Sequence, residues 1–237
     1  MTDRAALGHC SWPDLDGRPM TLVVPLGAVE QHGPHLPLDT DTRIAAAVAE
    51  QICTRLDDAS VIVAPPLAYG ASGEHEGFAG TVSIGHEALL ALLVEYGRSA
   101  CRWAARLLFV NGHGGNALTL RSAVSRLRYE GRDVAWFPCA FADADAHAGY
   151  TETSVLLHIS PELVAESERR VPGNCTPVAA LLEPMRAGGV AAVSATGVLG
   201  DPRAATAAAG AGLFDAVVDG GVAAVAAWDV DENGRLG

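Results

Sequence analysis

The stretch TLVVPLGAVEQHGPHLPLDTDT, residues 21–42, decides how the rest of the chain is read. It opens with a short apolar run, residues 21–25, whose length and β-branched content suit a buried strand. The run turns at Gly27. Polar residues then follow at once: Glu30, His32, and a cluster of Asp39, Thr40, Asp41 and Thr42 that can cap a helix. A helical pattern runs over 43–56, with Ile44, Val48 and Ile52 four apart on one face.

Outward from this unit the same alternation repeats. Residues 61–64 read as a second strand, ended by Pro65 and Pro66. Residues 87–105 read as a long helix with Leu89, Leu93, Tyr96, Ala100 and Trp103 on one stripe. A third strand is expected at 107–110, a helix at 118–129 and a fourth strand at 134–137. Residues 152–158 look helical, 197–202 read as a loop, and the Ala/Gly/Val-rich stretch 204–227 predicts a helix with Leu213, Val217 and Gly221 four apart. The expected fold is α/β: a single domain over 1–237 with a mainly parallel sheet flanked by helices on both faces.

Composition narrows the function. Apolar residues make up 49% of 237, enough for a sizeable core. The net charge of −12 argues against nucleic acid, whose binding needs clustered Lys and Arg. No uninterrupted apolar run of ~18 residues occurs, so no membrane span is expected. Residues 1–8 carry Asp3 and Arg4 and lack the apolar centre of a signal peptide. The five cysteines are odd in number, widely spaced and without a CxxC, as expected of reduced thiols in the cytoplasm.

In parallel sheets, ligands bind beyond the carboxyl ends of the strands. That rule selects the loops 27–41, 69–81 and 111–116, where the polar residues gather. If 30–32 stays extended, Glu30 and His32 point the same way. Asp41 opens the next helix, and His113 sits in Asn-Gly-His-Gly-Gly-Asn, 111–116. Two carboxylates and two imidazoles suit a divalent transition ion: zinc, iron or manganese. Asp41 is the candidate bridge between two such ions. Each residue alone has a plainer reading: a satisfied polar histidine, a carboxylate on a backbone amide, a helix cap. Their convergence at strand ends favours the metal.

A second cluster follows the fourth strand. There Glu152 can complete a metal shell or simply supply negative charge to a helix start, and His147 can move a proton. The 74–76 loop, Glu-His-Glu, is a third polar group, equally readable as solvated. No GxSxG elbow, P-loop or dinucleotide fingerprint is present.

Together, residues 24–35 (VPLGAVEQHGPH) with Asp39-Thr40-Asp41, residues 78–81 (FAGT), 111–116 (NGHGGN) and 147–154 (HAGYTETS) resemble the creatininase family, in order over residues 10–165. The resemblance implies a two-metal amidohydrolase of α/β fold, usually a homo-oligomer. Carried over by position, Glu30, His32, Asp41 and His113 match metal ligands with Asp41 bridging, Glu152 a further ligand, and His147 a catalytic histidine. Two divalent ions per chain are thereby implied, Fe2+ or Zn2+ ahead of Mn2+. The sequence also departs from family patterns. Creatininase itself has an acidic ligand where this chain has Gly115, which argues against creatinine as substrate. Formamide hydrolases of the family have Glu where this chain has Tyr150.

The stretches 72–84, 147–154 and 197–202 look most like one branch of the family. That branch implies removal of a C-terminal Val-Tyr dipeptide from a radical-modified precursor peptide. His75 and Tyr150 fall in these stretches and are the candidate substrate contacts. The alternatives are hydrolysis of another cyclic amide or a formamide, and a non-catalytic metal-binding scaffold.

Overall fold

Neighbouring residues of the first strand, β1 (Met20–Leu26), serve two different cores: Leu22 and Val24 join one cluster and Val23 the other. A strand buried on both sides must be apolar throughout. The computed structural model describes residues 6–237; the expectation for the N-terminal segment therefore lies, over 1–5, outside the described residues. With β2 (Val61–Val63), β3 (Ala104–Asn111) and β4 (Val134–Pro138), β1 forms a four-stranded sheet in the order β2-β1-β3-β4, every pair parallel.

A short helix, α1 (Trp12–Leu15), precedes the sheet. One face is covered by α2 (Thr40–Leu56), α5 (Tyr150–Ile159) and α7 (Ala207–Ala227); the other by α3 (Gly85–Ala100) and α4 (Ala117–Tyr129). The stripes read from sequence are the buried ones: Ile44, Val48 and Ile52 on α2, and Leu120, Val124 and Leu127 on α4, are at most 2% exposed. A further helix, α6 (Val178–Gly188), buries only Leu181.

Three expectations are corrected. The helix expected over 87–105 ends at Ala100, and Trp103 leaves the stripe, 37% exposed. The reason is the sheet: Ala104 and Arg106 already pair with Met20 and Thr21, so β3 starts three residues before its expected 107. At α2, the helix begins at Thr40, and the Asp39 carboxylate bonds Arg43 at 2.7 Å instead of a backbone amide. Lastly, α7 does have the length and composition to cross a membrane, which the search for an unbroken apolar run missed. It is nevertheless packed into the protein. A Cβ on Gly210 would lie 1.8 Å from the Ser154 carbonyl oxygen of α5, and one on Gly221 2.3 Å from Ile52 of α2. Its Asp215 and Asp219 pair with Arg55.

All five cysteines are unbridged. The four strands run the same way, so their carboxyl ends open onto one side of the sheet.

Candidate metal centre

The functional side chains come from all four strand exits, with Glu30, His32 and Asp41 after β1, His75 after β2, His113 after β3, and His147 and Glu152 after β4, and local geometry brings them together. After β1 the chain folds back, with the Glu30 N–H donating to the Leu38 carbonyl at 2.9 Å and Val29 pairing with Val82. After β3, Gly112 passes so close to the start of α2 that a Cβ would sit 2.3 Å from the Asp41 carbonyl oxygen. That approach delivers His113 to Asp41. After β4, the chain reaches His147 through a turn in which Ala148 adopts φ +53°, fully buried. Such strain in a non-glycine residue is held only by its surroundings. Here Asp145 accepts from the Tyr150 and Thr151 N–H groups, and Glu152 accepts from the Ala148 N–H at 2.6 Å.

The result is a buried ring of carboxylates and imidazoles. Asp41 Oδ1 is 3.1 Å from His32 Nε2, and Asp41 Oδ2 is 3.2 Å from His113 Nδ1. Glu30 Oε2 is 3.3 Å from His113 Nδ1, and Glu30 Oε1 is 3.3 Å from His75 Nε2. Glu152 Oε2 is 3.9 Å from His32 Nε2 and 4.0 Å from His147 Nδ1. Two sets, Glu30–Asp41–His113 and His32–His147–Glu152, have atoms close enough to share an ion, and Asp41 faces both. The plain reading of Asp41 as a helix cap therefore does not describe its carboxylate.

Electrostatics show a site built for added positive charge. Burial and the neighbouring Asp41 push Glu30 up to about 7. Burial disfavours a charged His32, yet Asp41, with Glu152 and Glu30, raises it to about 9. His113 is likewise raised against its burial by Asp41 and Glu30. Asp41 is held low despite burial, by His32 and His113. Burial raises Glu152. By contrast, burial and then nearby His32 and His75 lower His147, and burial with His113 and His32 lowers His75 to about 3.

Two observations test whether a divalent cation fits. Both Glu30 carboxylate oxygens and Asp41 Oδ2 are buried without a hydrogen-bond partner, a costly state for charged atoms unless a cation satisfies them. Further, three imidazoles turn one nitrogen onto a main-chain carbonyl: His32 Nδ1 on Glu30, His113 Nε2 on Ala71, His147 Nε2 on Gln31. A carbonyl only accepts, so these nitrogens carry the protons and the opposite ones face the carboxylates. That is the orientation of metal-ligating histidines. The donor set fits.

The sequence-derived candidates thus converge, save that Tyr150 sits 38% exposed on the first turn of α5 and His75 is buried at 4% rather than solvated on its loop. A cavity of about 250 Å³, lined by Gly112, Gly114, Phe141, Thr151 and Glu152 among others, adjoins the ring. Sequence reasoning gave no role to Gln31, Asp145 or the 197–199 segment. Gln31 lies between the candidates Glu30 and His32, and Asp145 lies two residues before His147. Nothing in the sequence marks that Leu199 pairs with His147.

A parallel α/β sheet with a buried carboxylate–imidazole ring at its carboxyl edge, suited to divalent ions, defines a metallohydrolase. A family model described as creatininase, creatinine amidohydrolase, matches residues 8–225, and the chain belongs to that family of hydrolases acting on C–N amide bonds. It is 61% identical over 221 residues to the mycofactocin precursor peptide peptidase of Mycolicibacterium smegmatis, covering 92% of this chain and 89% of that one. It is 57% identical over 237 residues to the protein of the same name from Mycobacterium tuberculosis, covering 97% and 94%. A crystal structure of creatinine amidohydrolase shares the fold, with a TM-score of 0.81 at 24% identity over 94% of this chain and 97% of that one.

Proposed function

We propose that this protein is a metal-dependent peptidase that removes the C-terminal Val-Tyr dipeptide from the modified mycofactocin precursor peptide. The observation that carries this reading is the 61% identity to a peptidase of that name across nearly the whole chain. Gly115 adds support from the site. A Cβ there would lie 2.4 Å from His113 Nε2, so the acidic ligand of creatininase has no room.

Glu30, His32, Asp41, His113 and Glu152 would hold two divalent ions, with Asp41 between them; Fe2+ or Zn2+ suits the donors best, and Mn2+ is the alternative. When bound, such ions supply Lewis-acid activation of water and of the amide carbonyl. The protein's own groups do the rest. Burial excludes bulk water, the carboxylates fix the cation positions, and His147 Nδ1, which carries the free lone pair, would take the proton released by the attacking water and pass it to the departing amine, which leaves poorly without one. Tyr150, exposed on the first turn of α5, would meet the substrate. The unbridged cysteines support a cytoplasmic location, and exposed Leu118 and Tyr129 on α4 support a homo-oligomer. Residues 1–237 act as one domain.

The test is mass spectrometry of the modified precursor after incubation with metal-loaded protein. Release of the dipeptide is expected, with no turnover of creatinine. Intact precursor in the presence of bound metal would sink the reading.

A further inference from the structure

Four histidines surround the carboxylates, and one of them is held differently from the rest. Gln31, 4% exposed, lies between Glu30 and His32 with its carboxamide tied at both ends. Its Oε1 accepts from the Gly33 N–H at 2.8 Å, and its Nε2 donates to the Gly197 carbonyl at 3.1 Å. Turning the amide over would set donor against donor and acceptor against acceptor, so these backbone contacts decide its orientation.

The same Nε2 lies 2.8 Å from His75 Nδ1 and 3.0 Å from His147 Nε2. An amide nitrogen donates and cannot accept. The two rings answer it in opposite ways. His147 Nε2 is 2.7 Å from the Gln31 main-chain oxygen, so it already carries a proton and cannot receive another donor. The amide's two hydrogens therefore go to the Gly197 carbonyl and to His75 Nδ1. His75 must accept at Nδ1, and its own proton sits on Nε2, the nitrogen 3.3 Å from Glu30 Oε1. His32 Nε2, His113 Nδ1 and His147 Nδ1 are the nitrogens left free for an ion by their partners' main-chain carbonyls, whereas His75 turns an N–H toward Glu30. By distance alone Glu30, His75 and His147 make a third metal-sized group, but the tautomer removes His75 from it.

We propose that Gln31 is a positioning residue that locks His75 in the Nε2–H form, turning an N–H rather than a lone pair toward Glu30 and so keeping it out of the metal's ligand set. Its side chain sets His75, while its main chain sets His147. The consequence for catalysis rests on the hydrolase reading above; the tautomer does not.

Two-bond ¹H–¹⁵N correlation spectra of zinc-loaded, ¹⁵N-histidine-labelled protein read the tautomer directly. In the unmutated protein His75 should show a proton on Nε2 and none on Nδ1; a proton on Nδ1 overturns the proposal with no variant needed. In Gln31→Glu an acceptor faces Nδ1, and His75 should take a proton there, while His147 keeps its Nε2 proton because the main-chain oxygen is unchanged. An unaltered His75 in this variant also overturns it. If Gln31→Glu does not fold, Gln31→Met removes the donor at similar length and should leave His75 in a mixture of tautomers. On the modified precursor, Gln31→Glu should lose about 10–100-fold in kcat with little change in KM, the usual cost of losing a ligand's support. Absence of cleavage by the unmutated protein would sink the peptidase reading and leave the tautomer assignment standing.

Discussion

Asp41 Oδ2 lies 3.2 Å from His113 Nδ1, joining the first turn of α2 to the exit of β3, while the other oxygen of the same carboxylate meets His32 at 3.1 Å. One residue thus faces both candidate ion positions. Asp41→Ala should lower the metal content from about two ions per chain to less than one, by anaerobic elemental analysis of matched preparations. Full occupancy in the variant would exclude a bridging role.

His147 is 3.8 Å from Glu30 and 4.0 Å from Glu152, longer than the Asp41 contacts. This spacing suits a group that moves protons. His147→Ala should keep its metals and lose about 10²–10⁴-fold in kcat, the usual contribution of a general acid or base. Loss of metal together with activity would make His147 a ligand instead.

These two residues also show how much the sequence discloses. Strand–helix alternation is legible because a strand buried on both faces is apolar throughout, as in β1, and because α2 and α4 keep their apolar stripes. The residues at strand exits are legible because a parallel sheet sends its polar loops to one edge. The end of α3 was not, since Trp103 continues the helical spacing by coincidence and only pairing of Ala104 with Met20 ends the helix. Gln31 was not either. Alternation along an extended segment turns it away from Glu30 and His32, but 30–32 is not a strand, and the fold-back to Leu38 lets all three side chains face inward. The partners of Gln31 at His75, His147 and Gly197 lie 44, 116 and 166 residues away, beyond any local pattern.

Gly115 is required by space. An added Cβ would meet His113 Nε2 at 2.4 Å, the Ala71 carbonyl oxygen at 2.6 Å and Glu74 Oε1 at 2.8 Å. Glu74 can swing away, but the Ala71 oxygen is backbone and holds His113. Gly115→Ala should therefore weaken metal affinity by about 10–100-fold, read by competition with a chelator, while far-ultraviolet circular dichroism stays native. Unchanged affinity would show that the loop relaxes freely.

The thiols should differ sharply in reactivity. Cys175 is exposed, whereas Cys53 is buried on α2, and burial with nearby Glu50 pushes its pKa up to about 12. The thiolate is the reactive form, so Cys53 should resist iodoacetamide in the folded protein at about pH 8 and gain reactivity only far above it. Peptide mapping should find Cys175 modified first and Cys53 modified only after unfolding. Early modification of Cys53 would contradict its packing.

Peptide cleavage here should proceed without a covalent acyl-enzyme. A serine, threonine or cysteine nucleophile needs a partnered base. Among the described residues, no hydroxyl or thiol is hydrogen-bonded to His32, His75, His113 or His147; their hydrogen bonds are to Asp41, Gln31 and backbone carbonyls, and their other polar neighbours are carboxylates. The nearby hydroxyl–imidazole pair, Thr153 and His35 at 2.8 Å, is sealed, with both residues at most 1% exposed. Cys139 borders the cavity, but burial, then Asp41, raises its thiol. Rapid acid quench during single-turnover cleavage should trap no acylated protein. Cys139→Ala and Thr153→Val should each retain most turnover. An acyl adduct on any side chain, or loss of turnover in Cys139→Ala, would overturn direct attack by water even if the metals proved essential.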